Sequence, residues 1–315
     1  MQVKLNPSFK GRDFIAISDY TTEEIFEIFD VARQLKKLQH ERIPHHLLAG
    51  KTLGMIFQKP STRTRVSFET GIYYLGGYGL FLSPSDLQMG RGETIKDTAL
   101  TLSRYLDGIM IRTFDHEEVL ELAHYASIPV INGLTDLMHP CQVMGDLLTA
   151  LEYKGGLSGL KCAYIGDGNN MCHSLLEGGA RVGMHVTVAC PPGFEPEESI
   201  LSRARQEAQA TGARLEVIED PWAAVAEADL IYTDVWASMG QEKDAAEKEK
   251  HFARYQVNSK LVAAARPDVI VMHCLPAKRG REITDEVMDG RHSVVFDEAE
   301  NRLHAQKAIM ALLMQ

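Results

Sequence analysis

Short apolar runs alternate along the chain with longer segments whose apolar residues recur three and four positions apart. The longer segments predict amphipathic helices, as where Phe68, Ile72 and Leu75 fall on one helical face. The runs are almost continuously apolar, which is typical of strands in a parallel sheet covered on both faces. In the first half, the predicted strands are 52–57, 78–83, 108–114 and 128–133. The predicted helices of this half are about 22–39, 65–77, 93–107 and 116–126.

The second half repeats this alternation. Its predicted strands are 160–165, 185–190, 214–219, 230–234 and 268–274. The pattern therefore predicts an α/β fold with two domains, each a parallel sheet flanked by helices. We place the boundary near the glycine-rich segment Gly155–Gly159, which gives domains 1–150 and 151–297. By pattern alone, a last predicted helix at 298–315 is able to pack on either half.

Composition limits the classes of partner. The 315-residue chain has 33 Lys and Arg against 43 Asp and Glu, a net charge of −10, which argues against nonspecific nucleic-acid binding. No apolar run approaches the ~18 residues of a membrane span, and the N-terminal segment lacks the apolar core of a signal peptide. Five cysteines without a CxxC pair argue against a disulfide framework. We expect a cytoplasmic protein that attracts any anionic ligand locally.

The segment "KPSTRTRVSFE", residues 59–69, concentrates groups that bind anions. Because proline disfavours helix at the residue before it, a helix is expected to start after Pro60 with Ser61 as its N-cap. The first-turn N–H groups of residues 62–64 are then expected to point outward, as at a phosphate site at the end of a parallel strand. The segment is not a nucleotide P-loop, because GxxxxGK[ST] is absent. Taken alone, it fits a capped helix with solvated arginines equally well.

Four further polar segments follow predicted strands: "MHPCQ" (138–142), "GDGNN" (166–170), "DVWASMG" (234–240) and "HCLPA" (273–277). A histidine in any one of them is more often structural than catalytic, and "GDGNN" lacks the GxGxxG of a dinucleotide site. The carboxyl ends of parallel strands, however, meet at one edge of a sheet, where ligands bind. Five polar segments at such edges are hard to explain by packing and favour a ligand site.

Together these segments resemble the aspartate/ornithine carbamoyltransferase family, over about residues 11–315. "STRTR", "HPCQ" and "HCLP" are specific to the family, while "DVWASMG", "GDGNN" and "FDEAENRLHAQKA" point to its ornithine branch. The resemblance implies transfer of the carbamoyl group of carbamoyl phosphate to the δ-amine of L-ornithine, giving L-citrulline and phosphate without a cofactor. It also implies that domain 1–150 binds carbamoyl phosphate, that 151–297 binds ornithine, and that the active site lies in the cleft between them.

Carbamoyl phosphate is a mixed anhydride, so an amine attacks its carbonyl directly, and the protein supplies positioning and charge stabilisation. The resemblance implies that this substrate is bound by Ser61, Thr62, Arg63, Thr64, Gln88, Arg112, His139, Gln142, Cys274, Leu275 and Arg302. Arg112, His139 and Cys274 are implied to be catalytic, with His139 donating a hydrogen bond to the carbonyl oxygen. Arg302 is implied to bring the helix at 298–315 to the first domain.

For ornithine, the resemblance implies that Asn170 holds the α-carboxylate and Asp234 the α-ammonium group. Ser238 and Met239 are implied on the adjacent loop. Asn169 is an alternative to Asn170, because the two residues are adjacent in "GDGNN". A carboxylate facing a cation would orient the substrate by charge.

For two of these residues, the sequence alone allows other roles. Asp234 follows a predicted strand, where an aspartate often caps a helix. Cys274 is by default a core thiol, or it could bind a metal together with His273. Two adjacent residues alone make a poor zinc site, so no metal is expected.

The family also implies a homotrimer, or a multiple of trimers, with active sites at subunit interfaces. Gln88, in "SPSDLQMGRGE", is the residue implied to reach the carbamoyl phosphate of a neighbouring subunit. Without the family, this polar segment is an ordinary surface loop.

Other functions fit the sequence less well. A carbamoyltransferase for putrescine would leave Asn170 without a carboxylate to bind, and one for an acylated ornithine would carry an "SLRT"-type segment in place of "STRTR". A nicotinamide oxidoreductase needs an acidic residue after the next strand, where this chain has Cys190 and Pro191. A noncatalytic protein of the same fold would show eroded site residues, and none of the expected residues is missing.

Overall fold

The computed structural model describes residues 3–85, 87–89, 92–237 and 245–315. The chain forms two compact units, one comprising Met1–Gly145 with Glu300–Gln315 and the other Asp146–Ala299. Each unit contains one parallel sheet flanked by helices, as the alternating pattern predicts. The chain enters the second unit within one long helix and returns to the first within another.

The first unit is built on four parallel strands in the order β2-β1-β3-β4. They are β1 (Thr52–Phe57), β2 (Tyr78–Leu82), β3 (Gly108–Arg112) and β4 (Val130–Leu134). Side chains from Ile56, Ile109 and Ile111 form part of a core closed by Val119 and Leu122. The third strand ends two residues earlier than predicted, and its pairing with β4 shifts register between Ile111 and Arg112.

The second unit has five parallel strands in the order β7-β6-β5-β8-β9. They are β5 (Lys161–Ile165), β6 (His185–Ala189), β7 (Leu215–Ile218), β8 (Leu230–Thr233) and β9 (Ile270–His273). Their buried side chains pack with Trp236, Phe252 and Tyr255 in one apolar core. Every strand of this sheet lies within or overlaps a segment that the apolar runs predict.

Helices flank both sheets. They are α1 (Thr22–His40), α2 (Thr62–Tyr74), α3 (Ile95–Leu102), α4 (His116–Tyr125), α5 (Pro140–Lys154), α6 (Asn170–Val182), α7 (Glu198–Ala208), α8 (Pro221–Val225), α9 (Ala245–Phe252), α10 (Ser259–Ala263), α11 (Asp285–Met288) and α12 (Val295–Leu313). Short 3-10 helices cover Pro7–Phe9, Ile17–Asp19 and Ala253–Tyr255. A capping box at Thr21 and Glu24 begins α1, and each residue's side chain accepts a hydrogen bond from the other's backbone N–H. Among the described residues, no helix has the length and apolar character needed to span a bilayer.

Each strand order contains a switch point, where chain connections leave in opposite directions. In the first sheet this point lies between β1 and β3, and in the second between β5 and β8. The carboxyl ends of such neighbouring strands leave a crevice, because the loops that follow them turn away from each other. The segments after these four strands are therefore the places where each unit is expected to bind a ligand.

The part of α12 from Glu300 onward belongs to the first unit. It packs closely on α2, since a Cβ added to Gly71 would lie 2.9 Å from Met310 Cε. The same helix buries Ala308, Ile309 and Leu312 completely or almost completely. A segment from the end of the sequence is thus part of the core of the N-terminal unit.

Candidate active site

The helix predicted after Pro60 begins as expected at the carboxyl end of β1. Ser61 is its N-cap, and the Ser61 Oγ accepts a hydrogen bond from Thr64 N at 3.1 Å. The expectation that all three first-turn N–H groups point outward is therefore wrong for Thr64, because the N-cap side chain satisfies the third N–H of the helix. The α2 N-terminus nevertheless lies at the switch point of the first sheet, where an anion is favoured.

Two of the three cations in the 59–69 segment bind other parts of the first unit. Lys59 is buried, pairs with the Asp136 carboxylate, and lies 4.3 Å from the centre of the Phe114 ring. Arg65 pairs with Glu69 at 3.0 Å and also stacks over an aromatic ring. The density of positive charge in the sequence thus overstates the charge directed at a ligand, and Arg63 is the remaining candidate in this segment.

The C-terminal helix α12 also contributes a cation to the α2 N-terminus. Arg302 of α12 is buried, and its Nη2 donates a hydrogen bond to Thr64 Oγ1 at 2.9 Å. The close approach of α12 to α5 depends on Gly145, where an added Cβ would lie 2.9 Å from Arg302 Cγ and 3.1 Å from Arg302 Cα. The contact joins residues 238 positions apart in sequence, a distance over which helical and strand periodicity carry no information.

His139 lies immediately before α5 and is buried, as is Gln142 in the first turn of that helix. Burial lowers the pKa of His139 well below its usual value, and the positive charges of Arg302, Arg112 and Arg63 lower it further. The imidazole is therefore neutral at pH 7, with one nitrogen as donor and the other as acceptor. We call Arg63, Arg112, Arg302 and His139 the arginine cluster.

The remaining residue predicted at carbamoyl phosphate in this unit lies in a loop. Gln88 is exposed, between β2 and α3. Arg112, by contrast, ends β3 and is buried, and its backbone oxygen accepts a hydrogen bond from Gln58 N at 2.8 Å. The first unit therefore brings the arginine cluster to its switch point and leaves Gln88 at its surface.

In the second unit, the segments after β5 and β8 meet at the other switch point. The Asp234 carboxylate is buried, and its Oδ2 accepts a hydrogen bond from Asn169 Nδ2 at 2.9 Å. Asn169 also caps α6, since its Oδ1 accepts from the backbone N–H groups of Met171 and Cys172. Because both ends of the Asn169 amide are engaged, Asn169 acts as a support for Asp234, and the buried Asn170 remains the candidate for ligand contact.

Cys274 follows β9 and interacts with the same carboxylate. Its Sγ donates a hydrogen bond to Asp234 Oδ1 at 2.9 Å. Burial raises the pKa of the Cys274 thiol well above its usual value, and the negative charge of Asp234 raises it further. The thiol is therefore protonated at neutral pH and is a hydrogen-bond donor, not a nucleophile. We call Asn169, Asp234 and Cys274 the Asp234 network.

The backbone beside Cys274 is strained and supported. Leu275 has φ of 56°, a left-handed conformation that costs a non-glycine residue roughly 1–3 kcal/mol and is typical of ligand sites. Its N–H donates to His273 Nδ1 at 2.8 Å, while His273 Nε2 lies 3.2 Å from Glu282 Oε1. His273 thus uses both ring nitrogens to hold the turn.

The hydrogen bonds of His273 and Cys274 argue against the alternative that these two residues bind a metal ion. Ligand atoms of Asp234, His273 and Cys274 lie within 4.8 Å of one another, so the structure supplies a third residue that the sequence pattern did not pair with the other two. The His273 nitrogens, however, already bind Leu275 N and Glu282. The protonated, hydrogen-bonded thiol is also a poorer metal ligand than a thiolate.

The charge-dense segment 241–251 contributes a contact that the sequence pattern missed. Lys248 of α9 pairs with Asp167 at 2.6 Å, and both side chains are largely buried. The pairing shows that this turn of α9 is fastened to the loop after β5. Ser238 and Met239, which were predicted to contact ornithine, lie outside the described residues.

Two models of one protein family match consecutive parts of the chain. A family model described as aspartate/ornithine carbamoyltransferase, carbamoyl-P binding domain, matches residues 12–152. The model described as the Asp/Orn binding domain of the same family matches residues 158–313. An ornithine carbamoyltransferase from Oceanobacillus iheyensis is 60% identical over 305 residues, covering 97% of this chain and 95% of that protein. One from Thermococcus kodakarensis is 58% identical, covering 98% of each chain.

Solved structures give the same result. The ornithine carbamoyltransferase from Pyrococcus furiosus has a TM-score of 0.95 to this chain and 54% sequence identity, covering 99% of both chains. An anabolic ornithine carbamoyltransferase from Campylobacter jejuni has a TM-score of 0.90 and 42% identity, covering 95% of this chain and 97% of that one. The resemblance inferred from the sequence segments is confirmed: the chain belongs to the aspartate/ornithine carbamoyltransferase family.

Proposed function

We propose that this enzyme transfers the carbamoyl group of carbamoyl phosphate to the δ-amine of L-ornithine, giving L-citrulline and phosphate. The observation that carries the proposal is the arginine cluster, three guanidinium groups whose charges act on one buried, neutral imidazole. Such a group of donors suits a dianionic phosphate next to a carbonyl. The full-length similarity to proteins named ornithine carbamoyltransferase supports ornithine as the acceptor.

In this proposal, Ser61, Thr62, Arg63, Thr64 and Arg302 bind the phosphate. Charge-assisted hydrogen bonds from arginine to phosphate are short and strong, and the α2 N-terminus adds a favourable dipole.

The carbamoyl group is bound by a second set of residues. Arg112 bridges the phosphate and the carbonyl oxygen, and His139 donates to that oxygen. Gln142 accepts from the carbamoyl NH2, which its amide oxygen is able to do and a cation is not. Cys274 and Leu275 complete the contacts to this group.

The chemistry needs no covalent intermediate with the protein. The neutral δ-amine attacks the carbonyl carbon, the C–N bond forms, and the carbonyl oxygen of the tetrahedral intermediate becomes negative. Arg112 and His139 stabilise that charge with donors already in place. The C–O bond to phosphate then breaks, and the departing phosphate takes the proton that the attacking nitrogen loses.

Ornithine is oriented by its α-groups. Asp234 pairs with the α-ammonium and Asn170 holds the α-carboxylate, with Ser238 and Met239 on the following loop. The Asp234 network supports this role, because Asn169 and Cys274 fix both carboxylate oxygens by hydrogen bonds at 2.9 Å. A carboxylate held in this way loses little conformational entropy on binding an ammonium group.

The assembly and setting of the enzyme are part of the proposal. We infer a homotrimer, or a multiple of trimers, in which Gln88 reaches the carbamoyl phosphate of a neighbouring subunit, working in arginine metabolism in the cytoplasm. The exposure of Gln88 supports this role, because a side chain that serves a neighbour must be accessible.

Shared sites make a testable demand. Gln88→Ala and Arg63→Ala should each be inactive alone, but reassembled together they should form one site with both residues intact per mixed trimer. Activity should return in part after verified subunit exchange. Mixed trimers as inactive as their parents would show that Gln88 does not serve a neighbour.

Citrulline formation tests the reaction itself. The purified chain is given carbamoyl phosphate with ornithine, putrescine, N-acetylornithine or aspartate in parallel. Ornithine should be the preferred acceptor, since only it offers an α-ammonium, an α-carboxylate and a free δ-amine. Equal use of putrescine would remove the roles of Asp234 and Asn170, and no turnover of any acceptor would overturn the proposal.

A further inference from the structure

A pair of carboxyl groups lies beneath the end of β9, and the proposed chemistry gives it no role. Asp146 of α5 and Glu298 of α12 are both almost completely buried, and their side chains hydrogen bond to each other. Glu298 Oε2 accepts a hydrogen bond from the backbone N–H of His273 at 2.8 Å. Glu298 Oε1 accepts from the Tyr232 hydroxyl at 3.3 Å.

Two buried carboxyl groups in contact share a proton, since like charges at this distance strongly disfavour double ionisation. Burial, and then the charge of Asp146, raise the pKa of Glu298 well above its usual value. The pair therefore shares one proton between its two carboxyl groups, while Glu298 accepts hydrogen bonds from the backbone N–H of His273 and from the Tyr232 hydroxyl.

The hydrogen bond from the His273 backbone N–H to Glu298 connects the carboxyl pair to the proposed active site. His273 is the last residue of β9, and Cys274 and Leu275 follow it directly. Its backbone is held by Glu298, while its ring binds Leu275 N and Glu282. Glu298 thus fixes the point from which the strained Leu275 turn and the Cys274 thiol project.

We propose that Glu298, paired with Asp146, is a positioning residue that holds the end of β9 so that Cys274 reaches Asp234 and the Leu275 backbone reaches the carbamoyl group. The inference rests on the proposed function for its effect on turnover, but its effect on Cys274 is independent of any substrate. The alternative is a polar pair that only satisfies its own hydrogen bonds in the core.

Three substitutions separate these possibilities. Glu298→Gln keeps an acceptor for His273 N–H and a donor for Asp146, and gives up only the acceptor for Tyr232. Tyr232→Phe removes that same 3.3 Å bond alone and is the matched control. Glu298→Leu keeps the side-chain bulk but leaves the His273 N–H without its acceptor.

Two measurements apply to each variant: the rate at which iodoacetamide alkylates Cys274 in the substrate-free protein, and kcat and KM for ornithine and carbamoyl phosphate. Leaving a buried donor unpaired costs enough to expect changes of at least about tenfold. Glu298→Leu should alkylate faster and lose kcat by that factor. Glu298→Gln and Tyr232→Phe should stay within about threefold of wild type in both measurements.

Circular dichroism establishes that Glu298→Leu remains folded at the assay temperature; if it does not, Glu298→Met, which is unbranched and more adaptable, takes its place. An apolar variant with wild-type alkylation and kcat overturns the proposal. So does a Glu298→Gln variant as damaged as Glu298→Leu, because the defect would then appear even though the acceptor for the His273 N–H is kept. Faster alkylation of Glu298→Leu in a chain whose wild type forms no citrulline would uphold the positioning role and overturn the proposed reaction instead.

Discussion

The arginine cluster and the Asp234 network occupy equivalent positions in their sheets but carry opposite charge. Both include residues from the switch point of a parallel sheet: Arg63 follows β1 and Arg112 ends β3 in the first unit, and Asn169 and Asp234 follow β5 and β8 in the second. In the first, the charges of three guanidinium groups act on a histidine, and in the second, a carboxylate accepts a hydrogen bond from a thiol. The fold therefore supplies the crevice, while the loop residues decide the charge of the ligand.

The opposite charges both favour the neutral form of the polar group at each site. Cations lower the pKa of His139, and an anion raises the pKa of Cys274, with burial as the larger cause in both cases. Each group is consequently neutral at pH 7 and retains a proton to donate. His139 and Cys274 therefore both suit the proposed reaction, which needs hydrogen-bond donors and no protein nucleophile.

The largest expected effect is the loss of a guanidinium from the arginine cluster. Arg63→Ala should cost roughly 2–4 kcal/mol of transition-state binding, about 30- to 1000-fold in kcat/KM for carbamoyl phosphate. Arg65→Ala is the matched control in the same helix turn, because Arg65 pairs with Glu69 on the surface and should cost less than about fivefold. Equal losses would show that net charge, not position, matters.

Removing the charge of the Asp234 network should have the next largest effect. Asp234→Asn keeps the shape of the side chain but loses its negative charge. Transition-state binding of ornithine should weaken by about 2 kcal/mol, which lowers kcat/KM for ornithine roughly 30-fold. Binding of a carbamoyl phosphate analogue, measured by calorimetry, should not change. Asp268→Asn, an exposed carboxylate of the same unit, serves as the control. Wild-type use of ornithine by Asp234→Asn would remove the distinction between the two regions.

A smaller effect is expected on the Cys274 thiol itself. Because Asp234 raises the pKa of Cys274, Asp234→Asn should lower that pKa toward its usual value and increase the thiolate fraction. Alkylation at pH 8 should accelerate by about tenfold, the effect of one pKa unit. The fully buried Cys141 and Cys162 are internal controls and should not react in the native protein. Unchanged alkylation would mean that burial alone sets the pKa of the thiol.

Changing the pH should have the smallest effect on the arginine cluster, because His139 is not expected to change its protonation state in the assay range. Since its pKa lies well below 6.5, the imidazole stays neutral between pH 6.5 and 9. Below about pH 7.7, where the α-ammonium that Asp234 is proposed to bind stays protonated, the kcat/KM for ornithine should then follow the free δ-amine, whose pKa is about 10.4, and rise about tenfold per pH unit. A break in this line near pH 6.5 would show that the arginine cluster does not keep His139 neutral.

Much of the architecture follows from local pattern. The capping box at Thr21, the N-cap at Ser61 and the apolar runs at β1 and β5 are all encoded within a few residues of where they act. The recognisable segments also lie at strand ends, because ligand contacts at a switch point come from short loops. These features could be predicted without knowledge of distant contacts.

What could not be predicted depends on contacts between distant segments. Lys59 belongs to the same dense run as Arg63, yet its charge is used by Asp136, and no local pattern reveals that pairing. The support of Asp234 by Asn169 and the fastening of Asp167 by Lys248 are of the same kind. Sequence identifies which residue types are concentrated at a site, and tertiary packing decides which of them face the ligand.

The return of α12 to the first unit has a consequence for how the protein is made. A ribosome releases residues 1–145 long before 300–315, so the N-terminal unit must wait for its last helix while the whole second unit emerges. Domains generally fold as they are synthesised, but here the segment that follows the first unit is the one able to fold first. Until then α2 lacks the partner that covers Gly71, and Thr64 lacks Arg302. Chaperones would meet this enzyme with its N-terminal half exposed and its later half complete.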